Sequence, residues 1–461
     1  MDYDVIVLGL GPGGEAVAGS LAEAGKAVLG VDERLVGGEC PYFGCIPSKM
    51  ILRGAEVLGE SRRVNQLAGS SQDTPDFGVV AQRIRDEATD DWDDTVAVER
   101  FEGQGATFAR SHGRLAGRDG GRFVVEVGDE THTAAQVVIA TGTRPSLPPV
   151  SGLDQLAVGV DELVWTNREI LQTRTAPASL VVLGGGVISC ELAQGFARFG
   201  SAVTLIEGSP RLLAREEPEA GDVVRTVFER EGIEVRTGHH VASVATGGDG
   251  VVVTLDDGST ATGAKLLVAA GRTPNLDGIG LETVGLDPAA RTLDVDEHMA
   301  VAGVEGLFAI GDVTGKGPFT HVSVWQASVL TQHLLGQDEE FGGYDAMAWA
   351  TFTDPEVGRV GMTEQQARDA GLDVRVGTQQ IASNSRGWIH GPGNDGFVKV
   401  VEDAGRGVLV GATVVGPYGG EIIGMLTTAV HGEVPVARLR TMHYVFPTLH
   451  RAVLEAIKAL A

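Results

Sequence analysis

Two stretches of this 461-residue sequence repeat one pattern, and that pattern leaves few folds open. Val5-Ile6-Val7-Leu8 is a short apolar run of the buried parallel-strand type. Gly9-Leu10-Gly11-Pro12-Gly13-Gly14 follows at once, then an alanine-rich helical stretch, then a second apolar run, Ala27 to Val31, that ends on Asp32. In the middle of the chain, Leu180-Val181-Val182-Leu183 leads into Gly184-Gly185-Gly186-Val187-Ile188-Ser189, a helical stretch, Ala202 to Ile206, and Glu207. A lone Gly-x-Gly-x-x-Gly is a weak signal. Set between a strand and a helix, with a carboxylate about 20 residues further on, it marks a dinucleotide-binding unit. Gly9, Gly11 and Gly14 in the first turn, and Gly184, Gly186 and Ser189 in the second, let backbone approach a pyrophosphate whose charge suits a helix N-terminus. Asp32 and Glu207 can each accept hydrogen bonds from ribose hydroxyls; the plain alternative is an acid that merely ends a strand in solvent.

Between the two units lies Val137-Val138-Ile139-Ala140-Thr141-Gly142, a strand closing on a turn, and Pro145 to Gly152 reads as a linker. A related strand end, Val268-Ala269-Ala270-Gly271-Arg272, closes the central unit, and Leu307 to Asp312 is another strand with an acidic end. From about 346 the glycine turns stop. Strand-like runs at Gly396 to Val401 and Val408 to Val415 then precede a helix from Glu421. The expected class is therefore α/β: two Rossmann-like dinucleotide-binding domains, followed by a C-terminal α+β domain. The charged stretch Arg83 to Asp94 reads as a solvated helix or loop without a functional role.

The formal net charge of −26 argues against nucleic-acid binding, which needs a basic surface, and is read as a solubility feature. No apolar run approaches the roughly 20 residues of a membrane span. Met1-Asp2-Tyr3-Asp4 is acidic and leads straight into a strand, unlike a signal peptide, so a soluble, cytoplasmic protein is expected.

Cysteine occurs only at 40, 45 and 190. Cys40 and Cys45 are separated by four residues in Gly37-Gly38-Glu39-Cys40-Pro41-Tyr42-Phe43-Gly44-Cys45-Ile46-Pro47-Ser48-Lys49. A metal site is one reading of this pair. Zinc usually takes four ligands, however, and no second Cys/His cluster supports it, so no metal is expected. An inert disulfide is another, unusual in the cytosol. The reading best matched to a cysteine pair at a helix start is a redox dithiol, because the dipole there stabilises a thiolate. Cys190 reads as a small buried apolar residue. At the second turn, the Glu207 carboxylate would repel a 2′-phosphate, which favours NADH; Arg211 and Arg215 nearby leave NADPH open.

Taken in order, these segments resemble the flavoprotein disulfide reductases, the class I pyridine nucleotide-disulfide oxidoreductases of dihydrolipoamide dehydrogenase and mercuric reductase type. The matching parts are the first glycine turn, Gly-Gly-x-Cys-x-x-x-x-Cys-x-Pro-Ser-Lys, Ala140-Thr141-Gly142, the second glycine turn, Gly271-Arg272, Ala309-Ile310-Gly311-Asp312 and Phe352-Thr353-Asp354-Pro355-Glu356. The resemblance implies an FAD-binding domain at 1–149 and 278–345, an NAD(P)-binding domain inserted at 150–277, and a dimerisation domain at 346–461. It implies a homodimer acting on a small-molecule substrate. It also implies roles. Gly9, Gly11, Gly14, Asp32, Thr141, Gly142 and Gly311 would bind FAD, with Asp312 on its ribityl chain. Gly184, Gly186, Ser189, Glu207 and Gly271 would bind the nicotinamide cofactor. Cys45 would be the charge-transfer thiol against the flavin and Cys40 the interchange thiol. Lys49 would sit near flavin N5 and pair with Glu191, and His321 would start a helix aimed at the pyrimidine end of the flavin.

One part departs from the resemblance. The family usually carries His-x-His-Pro-Thr-x-x-Glu near the C-terminus, and the second His shuttles protons to the dithiol. Matching on Leu439 and Pro447-Thr448 puts Phe446 where that base should be and Arg451 where its carboxylate should be. His443 and His450 are the nearby candidates for a relocated base, or are plain surface histidines. The expected activity is electron transfer from NADH through FAD to the Cys40–Cys45 pair and on to a small disulfide or other acceptor, or the reverse oxidation of a dithiol. The rival enzyme reading is an NADH:acceptor reductase of quinone, diaphorase or metal-ion type. The rival outside enzymes is a dinucleotide-sensing interaction protein.

Overall fold

A computed structural model of the chain describes residues 1–248, 250–337 and 342–460; residues 338–341 and 461, at the ends of two expected domains, lie outside the described residues. The chain gathers into two compact units, Met1–Pro47 with Arg83–Ser146 and Arg272–Phe341, and Ser48–Gln82 with Leu147–Gly271 and Gly342–Ala461. Residues 48–82 thus group with the second unit.

The first unit is built on a seven-stranded sheet in the order Thr107–Arg110, Val28–Asp32, Asp2–Leu8, Glu130–Ile139, Arg122–Val127, Gly113–Asp119, with Leu307–Ala309 also paired to Glu130–Ile139. Asp2–Leu8 runs parallel to both its neighbours, so strand order reverses on either side of it. In an open α/β sheet ligands bind at the carboxyl end of such a switch point, which here is Gly9. Ile6, Val7 and Leu8 are almost fully buried, as a strand covered on both faces requires. The following helix, Pro12–Glu23, starts on a proline in its first turn and buries Val17, Ala18, Leu21 and Ala22.

The chain leaves this unit through the short strand Thr143–Pro145 and returns through Arg272–Pro274. The two pair antiparallel, Arg272 opposite Pro145 and Pro274 opposite Thr143.

Arg83 to Asp94 is the helix and solvated loop expected, with three residues turned inward. Ile84, Thr89 and Asp94 are buried, and the helix Phe77–Arg83 widens into a π turn over Ile84–Ala88. The Asp94 carboxylate accepts hydrogen bonds from the Val36 backbone N–H at 2.6 Å and from Arg110 at 2.7 Å. A segment dense in charge thus carries an inward acid that braces the loop after Asp32.

The second unit contains a five-stranded sheet ordered Glu234–Thr237, Ala202–Glu207, Ser179–Leu183, Lys265–Val268, Val164–Trp165, every pair of it parallel. A three-stranded antiparallel sheet, Val241–Gly247, Gly250–Leu255 and Thr260–Gly263, accompanies it. Residues beyond 342 form a five-stranded antiparallel sheet whose core is shared with the helices Gly419–His431 and His450–Lys458.

Within this unit Asp354 accepts from Arg63 at 2.6 Å and from Arg198 at 2.7 Å. Burial alone would raise the Asp354 carboxyl, but Arg198 and Arg63 outweigh it and hold it below its ordinary value. A lowered folded-state value means that the stabilisation is present above the unfolded pKa and is lost as pH falls through the folded one. Asp354→Asn removes one of the two carboxylates paired with Arg198, only 3 % exposed, and leaves Glu231 at 2.6 Å. It should cost about 1.5–3 kcal/mol, the worth of a hydrogen bond to a charged group. The check is denaturant unfolding at neutral and acid pH, where the gap between variant and unmodified protein should close as pH falls.

Candidate active site

In the first unit the glycine turn divides into filled and open positions. A Cβ on Gly9, whose φ is +93°, would lie 2.5 Å from the Ala140 carbonyl oxygen, and one on Gly14 would lie 2.0 Å from the Gly9 oxygen. These two glycines exist so that helix, turn and strand end can touch. Gly11 differs: its backbone is ordinary, with φ −66°, and an added Cβ would meet nothing within 4 Å. It faces open space at the head of a helix. Asp32 accepts from the Leu10 N–H at 2.7 Å and the Arg34 N–H at 2.8 Å. Burial pushes its carboxyl above the usual value against the pull of those bonds.

The other residues expected beside a flavin converge on the same place. Thr143 donates to the Asp312 carboxylate at 2.6 Å and accepts from Arg272 Nε at 2.7 Å, while Arg272 pairs with Glu39 at 3.3 Å. A polar chain therefore runs from Asp312 to the residue before Cys40. Thr141 and Gly142 are held by Asn275, which donates through its amide to the Thr141 carbonyl at 2.9 Å and through its N–H to the Gly142 carbonyl at 2.9 Å. The buried Gln326 side chain accepts from the Gly311 N–H at 2.6 Å. Thr143, Asn275 and Gln326 were not singled out for this site from sequence, and no local pattern marks them; Arg272 stood in the Gly271-Arg272 match but without a role.

The cysteine segment packs on the turn. Gly37 donates to the Leu10 carbonyl at 2.7 Å, and a Cβ on Gly38 would strike Gly11 Cα at 2.8 Å. Cys40 sits in the short helix Glu39–Phe43, Gly44 breaks it, and Cys45 is the first residue of the helix Cys45–Leu67. Both cysteines are in the reduced, thiol form. The hydrogen bond to Cys45, together with burial, pushes the Cys40 thiol far up, so that Cys40 keeps its proton. Cys45 Sγ lies 3.5 Å from Thr320 Oγ1. The helix expected at His321 begins one residue earlier, at Thr320; His321 is exposed, its ring stacked on Phe319 at 5.4 Å.

The second unit has its own constellation. A Cβ on Gly184 would lie 2.4 Å from the Ala269 carbonyl oxygen, whereas one on Gly186 meets nothing within 4 Å. Ser189 donates to that same Ala269 oxygen at 3.3 Å, and Gly271 follows at φ +135°. Glu207 is not a loose strand end: it accepts from the Gly185 N–H and the Ser209 N–H, each at 2.5 Å. Leu213 N–H donates to the Gly185 carbonyl at 2.8 Å, and Arg359 donates to the Arg215 carbonyl at 2.6 Å, so the loop carrying Arg211 and Arg215 is fixed against the turn. Glu191, 3 % exposed, accepts from Lys49 Nζ at 2.8 Å and from the Phe352 N–H at 2.9 Å. Lys49 also stands 4.8 Å from the centre of the Phe352 ring. Cys190 is fully buried.

Near the C-terminus, His443 is exposed and His450 is the first residue of the last helix. Val445 and Phe446 are 73 % and 67 % exposed, an apolar tip on the surface of the single chain. Arg451 faces Glu455 at 3.6 Å.

Comparison with known proteins adds to this geometry. A family model described as pyridine nucleotide-disulphide oxidoreductase matches residues 3–327, and the model of that family's dimerisation domain matches 347–457. The chain is 34 % identical over 471 aligned positions to a dihydrolipoyl dehydrogenase of Mycobacterium leprae, covering 99 % of this chain and 98 % of that one. It is 32 % identical over 471 positions to a mercuric reductase of Streptomyces lividans, covering 100 % and 95 %. Among solved structures it is similar to LpdA from Mycobacterium tuberculosis, with a TM-score of 0.87 at 26 % identity, and to the HOCl-induced flavoprotein disulfide reductase RclA from Escherichia coli, with 0.84 at 25 %. Each of these covers 99 % of both chains. No helix among the described residues is long and apolar enough to cross a membrane.

Proposed function

The chain belongs to the pyridine nucleotide-disulphide oxidoreductases, an FAD-dependent, NAD(P)H-using enzyme family, and on that premise we propose that it passes electrons from NADH through FAD to a Cys40–Cys45 pair and on to an acceptor that needs little proton delivery. The observation that carries this reading is the pairing of the two thiols at the head of a helix, on a segment packed against Gly11.

The open positions at Gly11 and Gly186 fit dinucleotides. FAD on the first turn supplies the two-electron carrier. The N-termini of Pro12–Glu23 and Val187–Arg198 would hold the pyrophosphates of the two cofactors. Asp32 and Glu207, each already anchored by backbone N–H groups, would offer fixed carboxylate edges to ribose hydroxyls. Asp312, oriented by Thr143, would bind the ribityl chain, with Thr141, Gly142 and Gly311 contributing to the same turn-side site. Lys49, held by Glu191, is the cation that the family resemblance assigns to the flavin. Cys40 keeps its proton and donates to Cys45, which carries the negative charge of the reduced pair. The exposed tip at Val445 and Phe446 lies within the match to the dimerisation domain and fits burial in a homodimer.

The dihydrolipoyl dehydrogenase relatives point to lipoamide as acceptor, but Phe446 has no proton to give. That favours a quinone, a metal ion, or a disulfide whose thiol leaves easily because its pKa is low. The test is reductive titration together with an NADH-oxidation screen across lipoamide, low-molecular-weight disulfides, quinones and Hg(II). Uptake of two electrons by the flavin and two more by the pair is expected. Uptake by the flavin alone would leave a plain NADH:acceptor reductase.

The choice of nicotinamide cofactor tests a second part of the site. Glu207→Gln removes the charge but keeps one acceptor oxygen. It should narrow the preference of kcat/KM for NADH over NADPH by about fivefold, the size of one lost repulsion of about 1 kcal/mol across water. An unchanged ratio would place the choice with Arg211 or Arg215.

A further inference from the structure

Resting on the reading of Cys40–Cys45 as the redox pair, we propose that Thr320 is a further catalytic residue, a hydrogen-bond donor that holds Cys45 as the thiolate. Its hydroxyl lies 3.5 Å from Cys45 Sγ and also reaches Cys40, whose thiol it pulls down against the larger rise caused by Cys45 and burial. Thr320 is partly buried and opens the 15-residue helix Thr320–Leu334. Its position is locked by its own carbonyl, which accepts from Ser323 Oγ at 3.0 Å, while a Cβ on Gly13 would press within 3.1 Å of Ser323 Cβ. The helix that presents Thr320 is thereby packed on the first glycine turn.

The direction of the bond follows from the inventory of donors. A neutral Cys45 could donate to Thr320. An ionised Cys45 can only accept, and then both Thr320 and Cys40 have a proton to give it. The hydroxyl therefore favours the ionised form, and the first turn of Cys45–Leu67 adds its dipole in the same sense. Two electrons entering the Cys40–Cys45 disulfide break the sulfur–sulfur bond and leave two sulfurs. Cys40 takes one proton from solvent or substrate, and Cys45 takes none. Cys40 then gives up that proton, attacks the substrate disulfide and breaks its sulfur–sulfur bond, and the first substrate thiolate leaves with the proton. Cys45 next attacks the mixed disulfide on Cys40, re-forms the Cys40–Cys45 bond, and expels the second substrate thiolate, which takes its proton from solvent. With Cys45 kept ionised, the pair needs one proton where it would otherwise need two. That lightens the task of a chain with phenylalanine at the position of the family's base.

The experiment uses the FAD-loaded enzyme with Cys40→Ser, so that alkylation by iodoacetamide reports Cys45 alone, followed against pH. Thr320→Val in that background keeps the shape and removes the donor. The midpoint should rise by about one pH unit, a tenfold shift in the thiol–thiolate equilibrium, as expected for a lost bond to a charged group. Thr320→Ser should restore a midpoint close to that of threonine. An unchanged midpoint in yellow Thr320→Val protein overturns the proposal; if valine prevents folding, an unchanged midpoint in Thr320→Ala does so. Reductive titration of the unmodified enzyme separates the two layers. Electron uptake by the flavin alone sinks the redox pair and this role with it, whereas full uptake with an unmoved midpoint sinks Thr320 only.

Discussion

Gly11→Val is expected to purify as soluble, folded and colourless protein. Three of the four glycines in the first turn divide into two kinds of expected failure. Side chains at Gly9 or Gly14 would run into backbone oxygens at 2.5 Å and 2.0 Å, so those substitutions break the fold itself. Gly11 has an ordinary φ of −66° and open space beyond it, so the polypeptide tolerates valine there. The branched side chain instead fills the volume at the head of Pro12–Glu23 that a pyrophosphate would take, and the charge-assisted bonds from the helix N-terminus are lost. At about 1.5–3 kcal/mol for each such bond, FAD affinity should fall by at least about a hundredfold to a thousandfold. The measurement is the absorbance ratio of flavin to protein after gel filtration, beside the far-UV dichroism. Fully yellow Gly11→Val would place FAD elsewhere, and an unfolded variant would show that the turn is structural at this position too.

Lipoamide is expected to be a poor acceptor, slower by about 10²–10⁴-fold than an acceptor whose reduction needs no delivered proton, which is the usual worth of a positioned general acid–base group. Lipoamide thiols are ordinary alkyl thiols and leave badly as thiolates. Phe446 cannot protonate them, and Arg451 is not a carboxylate that could orient an imidazole in its place. Phe446→His alone should recover little; Phe446→His with Arg451→Glu should recover more, because an oriented imidazole is the working unit. Fast lipoamide turnover by the unmodified enzyme would contradict this, unless His443→Ala or His450→Ala abolished it and so exposed a relocated base.

The dinucleotide turns were readable because they are dictated within a few residues: a turn that must let backbone pass within van der Waals reach of backbone has to be glycine, and glycine shows in the sequence. The cysteine pair was readable for a similar reason, since both thiols belong to one local segment. The residues that orient these groups were not. Arg272 reaches Thr143 across 129 positions, and Thr143 reaches Asp312 across 169. Thr320 meets Cys45 across 275. A threonine or a glutamine at such a place looks like any surface residue until the sheet has brought its partner alongside. Arg83 to Asp94 was legible in part: its charged side chains are mostly solvated as expected, but Ile84, Thr89 and Asp94 are buried, and Asp94 finds its partner at Val36, 58 positions away.

The antiparallel pairing of Thr143–Pro145 with Arg272–Pro274 has a consequence for how such a gene can be rearranged. Backbones of paired strands run about 5 Å apart. The cut ends at Ser146 and Arg272 therefore already stand side by side, and a tight two-residue turn could join them. The first sheet keeps its register whatever length of polypeptide is spliced between them. This seam lies on the first unit only: residues 147–271 also hold Lys49 and the Phe352 N–H through Glu191 and Asp354 through Arg198. A foreign segment spliced at these two points would leave the first sheet in register but would have to bring its own counterparts of Glu191 and Arg198.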